Sequence, residues 1–253
     1  MDNLKSAPPK HSWVSTEDGS FTLFSEEFQE ACHSTTGAKS ETLLHYISGC
    51  RVKEKAQQGE VTILEVGFGL GVGMLTTTES VPEAKLTFLS LEIDEDLVEW
   101  FRLQNPHFEW KSEHHFKYLH YQNSNLNLFI LVGDARKTLQ SFLEIYPFKF
   151  NVIYQDAFSP KKNPTLWTKQ WFKLLKENSL EDVILSTYSA STSIRKSLAE
   201  SGWKIHKGDK FGPKRTSTRA TLNGETDPDI LLQMERSPTP ALSDDNINTF
   251  LTK

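Results

Sequence analysis

Apolar residues cluster in short continuous runs, at Thr62–Val66, Leu86–Leu91, Leu126–Val132, Phe150–Tyr154 and Asp182–Thr187. Such runs suit strands whose sheet is covered by helices on both faces. Between and after them, the spacing predicts helices over 71–79, 95–104, 135–144, 166–177 and 190–201. That alternation predicts an α/β fold with a mostly parallel sheet. Upstream, Trp13–Phe28 alternates apolar and polar positions around Asp18-Gly19, a β-hairpin pattern. Ser40–Ile47 reads as a helix with Ser40 as N-cap and Leu43, Leu44 and Ile47 on one face. Asn105–Asn125 is polar, aromatic and histidine-rich, an excursion off the sheet. After Trp203–Ile205, GDKFGPKRTSTRATL predicts an antiparallel hairpin closing the sheet edge. From Gly224 the chain is acidic and proline-containing, with little structure expected beyond one short helix. The expected organisation is an N-terminal extension over 1–55, a main domain over 56–223 and an acidic tail over 224–253.

The first strand of the main domain runs straight into glycines: VTILEVGFGLGVGML, Val61–Leu75. Glycines let the backbone approach a ligand closely, and the helix that follows offers unpaired N–H groups. Dinucleotide sites want G-x-G-x-x-G; here Gly67, Gly69 and Gly71 follow G-x-G-x-G instead. Glu65, two residues ahead, would repel a pyrophosphate and would suit a ligand with a cationic end. The second strand ends at Glu92, where a carboxylate accepts hydrogen bonds from ribose hydroxyls. Glu92 thus supports a ribose, which NAD and S-adenosylmethionine share, and Glu65 tips the choice toward S-adenosylmethionine, since E-x-G-x-G resembles the first motif of class I methyltransferases. The simpler alternative is a glycine-rich turn that binds nothing.

Two further strand ends carry polar groups where open α/β sheets bind ligands. Asp134, followed by Ala135, ends the third strand; it resembles the acidic residue that meets the adenine amine in methyltransferases, it suits a helix N-cap, and the two roles can coexist. The fourth ends in Gln155-Asp156-Ala157-Phe158-Ser159-Pro160, which is similar to the [ND]-P-P-[FYW] motif of amine-methylating enzymes. An amine attacks a sulfonium methyl only through its lone pair, so a protonated amine must first lose a proton. Asp156, if partly desolvated, would serve as that base, and alignment of nitrogen, methyl and sulfur would supply much of the remaining rate. Otherwise Asp156 merely caps a turn before a proline-containing loop.

At 253 residues the chain is long enough for a substantial core, and its net charge of −5 argues against an extended basic surface without excluding a local patch. Its two cysteines, Cys32 and Cys50, form no C-x-x-C and suggest neither zinc nor a disulfide framework. There is no apolar run of membrane-spanning length and no signal-peptide pattern at the N-terminus, so a cytoplasmic protein without metal or membrane is expected.

DAFSPKKNPTLW, residues 156–167, is similar to the D-[GA]-F-[AS]-P-x-K-N-P-x-x-W signature of the MnmC-type tRNA wobble-uridine methyltransferases. EVGFGLGVGML, the segments SEEFQEACHS and TGAKSETLLHYI, and FGPKRTS also resemble that family, over about Trp13 to Leu222. The resemblance implies a class I, Rossmann-like methyltransferase with a mostly parallel seven-stranded sheet, a C-terminal antiparallel hairpin and a small N-terminal hairpin and helix. It implies methyl transfer from S-adenosylmethionine to 5-aminomethyl-uridine at the tRNA wobble position. Carried over by position, Glu65, Gly67, Phe68, Gly69 and Gly71 would line the methionine end, with Glu92 on the ribose. Asp134 and Ala135 would meet the adenine, with Gln155 beside the donor. Asp156 would take the amine proton and Phe158 and Pro160 would shape the pocket. Lys162, Asn163 and Trp167 would build the loop over it, Trp167 serving equally well as core. Lys214 and Arg215, with Arg219 and Lys210 nearby, would contact tRNA phosphates, unless they are an ordinary solvated charge run. Bifunctional members carry an FAD-dependent oxidase domain. No second dinucleotide motif occurs here, so the expectation is a stand-alone methyltransferase supplied by a separate upstream enzyme. A small-amine methyltransferase, favoured by the acidic charge, and a non-enzymatic module of the same fold are the competing readings.

Overall fold

The computed structural model describes residues 6–33, 35–211 and 216–251. Its elements are β1 (His11–Ser15), β2 (Phe21–Ser25), β3 (Glu30–Ala31), α1 (Ala38–Glu41), which continues as a π-helical segment over Thr42–Ser48, and α2 (Val52–Gln58). Then come β4 (Val61–Val66), α3 (Val72–Ser80), β5 (Leu86–Glu92), α4 (Glu95–Gln104), β6 (Glu109–Glu113), β7 (Phe116–Gln122), β8 (Leu126–Val132) and α5 (Ala135–Ile145). The chain continues with β9 (Phe150–Gln155), α6 (Lys169–Glu177), β10 (Ser179–Thr187), α7 (Thr192–Glu200), β11 (Lys204–Lys210), β12 (Thr216–Thr221), α8 (Pro228–Arg236) and α9 (Ile247–Leu251).

The five apolar runs form the parallel centre of one sheet, in the order β11-β12-β10-β9-β4-β5-β8-β7-β6. Strand β4 lies between β5 and β9, in register Val61↔Leu86 and Ile63↔Val152. Successive strand residues feed opposite faces. Leu64, Leu89, Leu131 and Ile153 pack with α5, α6 and α7. Ile63, Phe88, Ile130 and Val152 pack with Tyr46, Met74, Val98 and Phe101 from the helices on the other face. Both faces are buried, which is why these strands read as apolar runs rather than alternating ones.

The structure corrects several expectations. The sheet has nine strands rather than seven among the described residues. The excursion over Asn105–Asn125 folds as the antiparallel pair β6–β7 and extends the sheet beyond β8. Its Phe116, Tyr118 and Leu119 are buried, so an apolar minority within a polar segment suffices for an edge hairpin. Helix α1 starts after Gly37, not Ser40, whose hydroxyl instead donates to Asp18. The helix expected over 166–177 is split. Pro164–Trp167 forms a 3-10 turn, and Thr168, in extended conformation, caps α6 by accepting the Trp171 N–H. The acidic segment after Gly224 is structured. Ile230 and Met234 on one face of α8, and Leu242 beyond it, join the core. There Leu242 N–H donates to Ser197 Oγ at 2.8 Å and Arg136 pairs with Asp244. The N-terminal hairpin forms as expected, turning at Gly19, and gains a third short strand, β3.

Candidate active site

A cavity of about 720 Å³ opens at the carboxyl ends of β4, β5, β8 and β9, where strand order reverses on either side of β4. Its size falls in the range of roughly 300–1,000 Å³ usual for small-molecule sites.

Gly67 and Gly69 line it, with φ of +96° and +55°. A Cβ on Gly67 would lie 2.6 Å from the Asp156 carbonyl oxygen, so the turn brings β4 and β9 together as only glycine allows. Glu92, at the end of β5, is 9 % exposed and lines the cavity. Its carboxylate accepts the Gly69 N–H at 3.0 Å, the Ile93 N–H at 2.8 Å and the Asp94 N–H at 3.0 Å. Three bonds on about four lone-pair sites leave capacity for one more donor. Burial pushes the Glu92 carboxyl up, against the pull of those N–H groups. Asp134 is exposed at the cavity wall and caps α5 through the Arg136 N–H at 3.0 Å, so the capping role is realised; Ala135 lines the cavity beside it.

Asp156 follows β9, with its N–H on the Val66 carbonyl at 2.9 Å. Its Oδ1 accepts the Tyr46 hydroxyl at 2.5 Å. The loop beyond is held from several sides. Trp167 Nε1 donates to the Phe158 carbonyl at 2.8 Å and Tyr188 to the Ala157 carbonyl at 2.9 Å. Phe158 and Asn163 line the cavity, Trp167 is core, and Lys162 is exposed outside the lining.

Four expected donor contacts lie elsewhere. Gln155 is fully buried: it donates to the Leu166 carbonyl at 2.9 Å and accepts from Trp171 at 3.0 Å, so both ends of its amide are structural. Phe68 is a core ring in edge contact with Phe101, and Gly71 packs against both rings at the start of α3. Glu65 is buried behind the glycine turn, against Gly73, and accepts the Ser90 hydroxyl at 2.6 Å. Burial drives its carboxyl well above the ordinary range. Lys214 and Arg215 lie outside the described residues. Lys210 ends β11, and Arg219, on β12, pairs with Asp209.

The roof comes from the N-terminal sheet, to which sequence reasoning assigned no role. Phe28 stacks on Phe158, with ring centroids 4.5 Å apart and planes 18° apart. Glu30 accepts both the Ser159 N–H at 3.1 Å and its hydroxyl at 2.8 Å. Phe28, Glu30 and Glu41 line the cavity and fall inside the N-terminal segments that carry the resemblance, so a signal existed for them. Tyr46 falls in the same segments, whereas Tyr188 does not.

Among the described residues the lining is electrostatically one-sided. Glu30, Glu41, Glu92, Asp94, Asp134 and Asp156 face Arg136 and Lys137. Arg136 is engaged by Asp244, and burial lowers the lining His33 to about 4, leaving it neutral near pH 7. Such a wall disfavours a pyrophosphate and favours a cation.

A model of an S-adenosyl-L-methionine-dependent methyltransferase family matches residues 99–223. The crystal structure of MnmC2 from Aquifex aeolicus aligns at TM-score 0.76 and 31 % identity, covering 94 % of this chain and 80 % of that one. The chain belongs to the MnmC-type methyltransferase family. It is 28 % identical over 250 residues to the uncharacterized Methanocaldococcus jannaschii protein MJ0670, spanning 65 % of that relative's length. It is 26 % identical over 226 residues to the bifunctional protein MnmC of Legionella pneumophila, named for tRNA 5-methylaminomethyl-2-thiouridine biosynthesis, and spans only 34 % of it. A probable spermidine synthase from Corynebacterium glutamicum, 13 % identical at TM-score 0.52, shares the fold. Membership makes the chain an S-adenosylmethionine-dependent methyltransferase. The glycine cradle and acidic lining fit that donor. Among the described residues no His, Cys, Asp or Glu group is arranged to hold a metal, and no helix is long and apolar enough to cross a membrane.

Proposed function

We propose that this enzyme methylates the exocyclic amine of 5-aminomethyl-uridine at the tRNA wobble position, giving 5-methylaminomethyl-uridine. The observation that carries this reading is the Asp156 carboxylate, which opens onto the same cavity as the glycine turn and Glu92. Gly67 and Gly69 would pass the donor's methionine end, Glu92 would accept a ribose hydroxyl, and Asp134 and Ala135 would meet the adenine. When bound, S-adenosylmethionine supplies an electrophilic methyl on a sulfonium. Asp156 takes a proton from the substrate ammonium, freeing the nitrogen lone pair. The freed nitrogen would then be placed to accept that methyl, with the carbon–sulfur electron pair staying on sulfur. Phe158 and Asn163 would shape the substrate side. Lys210, Lys214, Arg215 and Arg219 would meet phosphates, with Lys162 at the loop. The setting would be the cytoplasm, with a separate enzyme supplying the aminomethyl group.

The acidic net charge favours a second reading, a small amine as acceptor. Incubation with labelled donor and tRNA rich in 5-aminomethyl-uridine, followed by nucleoside mass analysis, decides between them. One added methyl on that nucleoside, absent with Asp156→Ala, supports the tRNA reading. No transfer to tRNA and no salt-sensitive tRNA binding would move the search to small amines.

A further inference from the structure

Tyr46 is 2 % exposed, yet its hydroxyl reaches the cavity-lining carboxylate of Asp156, 110 positions along the chain, at 2.5 Å. The ring has little freedom to leave. It packs against Tyr154, centroids 5.0 Å apart, in the core cluster that also holds Phe68 and Met74. It sits on the π-helical segment Thr42–Ser48, a winding that aims side chains differently from an α-helix and recurs at functional sites. The adjoining His45 carbonyl accepts the buried Ser186 hydroxyl at 2.5 Å, which pins that segment to β10.

We propose that Tyr46 is a positioning residue for methyl transfer: its hydroxyl fixes the rotamer of Asp156 and holds the carboxylate ionised while the amine is bound. The inference rests on the reading of Asp156 as the proton acceptor. Asp156 also interacts electrostatically with Glu65 from β4, Cys32 from the segment after β3 and Tyr188 from the segment after β10. A hydrogen bond donated to its charged form favours ionisation. Holding one oxygen also sets where the other points, so the proton is drawn along a defined line.

The test compares wild type with Tyr46→Phe in three measurements. These are the titration of the Asp156 carboxyl by carbon-13 NMR in the donor-free protein, donor affinity by calorimetry, and kcat for tRNA methylation. In Tyr46→Phe the Asp156 titration should move to higher pH and kcat should fall roughly 10- to 100-fold, the loss of one hydrogen bond to a charged group. Donor Kd should stay within about twofold, roughly 0.4 kcal/mol. The acidic limb of the rate profile should move upward with the titration. A fall in kcat with an unmoved titration makes Tyr46 merely structural and overturns the proposal, as does an unchanged kcat. If wild type transfers nothing to tRNA while the titration still moves, the hydrogen-bond role stands and the substrate reading falls. Should Tyr46→Phe not fold, 3-fluorotyrosine at position 46 keeps the shape and donates more strongly. It should then move the Asp156 titration to lower pH, and no movement overturns the proposal.

Discussion

The floor and the roof of the cavity are assembled over different distances in the chain. The floor joins neighbours: Glu92 takes the Gly69 N–H across 23 positions and the Ile93 N–H across one. The roof joins strangers: Glu30 reaches Ser159 across 129 positions and Tyr46 reaches Asp156 across 110. On the floor, backbone geometry fixes the groups, through a parallel sheet and its βα turns. On the roof, side chains from a small separate sheet and a π-helical segment clasp the loop after β9. The floor should therefore fail through backbone strain, and the roof through loss of individual contacts.

The largest effect expected is on the floor. Gly67→Ala puts a methyl 2.6 Å from the Asp156 carbonyl oxygen at a φ of +96°. Strain and displacement together should cost about 2–4 kcal/mol of stability. Donor binding should be undetectable by calorimetry in the folded fraction. Normal donor affinity in that variant would show that the turn does not set the cradle. On the roof, Phe28→Ala removes one aromatic stack on Phe158. Such a pair contributes about 0.5–1.5 kcal/mol, so transfer should slow roughly 2- to 10-fold with donor Kd unchanged. A weakened donor Kd with an unaltered rate would place the roof's role at the donor instead of the acceptor.

What sequence could show follows the same division. The apolar runs, the glycine turn and the strand-end acids Glu92, Asp134 and Asp156 are local patterns, and each is found where its spacing put it. Positions adjacent to a motif were less legible. Gln155 and Phe68 flank true lining residues, but strand and turn geometry sends their side chains into the core. Neighbours along a strand point to opposite faces, so membership of a motif does not imply contact with the ligand. Tyr46 lies in a segment that carries the resemblance, but its contact with Asp156 was illegible for another reason. It reads as one more aromatic on a helix, and only tertiary packing brings it to Asp156. The same holds for Leu242, whose burial depends on α7 rather than on any pattern in its own acidic segment.

Glu65 sharpens the comparison most finely, because it supports the floor from behind. Its carboxyl is 3 % exposed and pushed well above its ordinary 4.5, first by burial, while the Ser90 hydroxyl pulls the other way. The folded state thus holds this proton more tightly than the unfolded chain. By linkage, native stability falls as pH rises from about 4.5 through the higher native value. Glu65→Gln keeps the shape and removes the titration. Thermal midpoints of wild type and variant, measured without donor from pH 5 to 8.5, should separate as pH rises, with wild type losing ground. Parallel curves would mean that Glu65 keeps its charge at little cost. The raised carboxyl would then have no part in holding the glycine turn, and the floor would rest on backbone geometry alone.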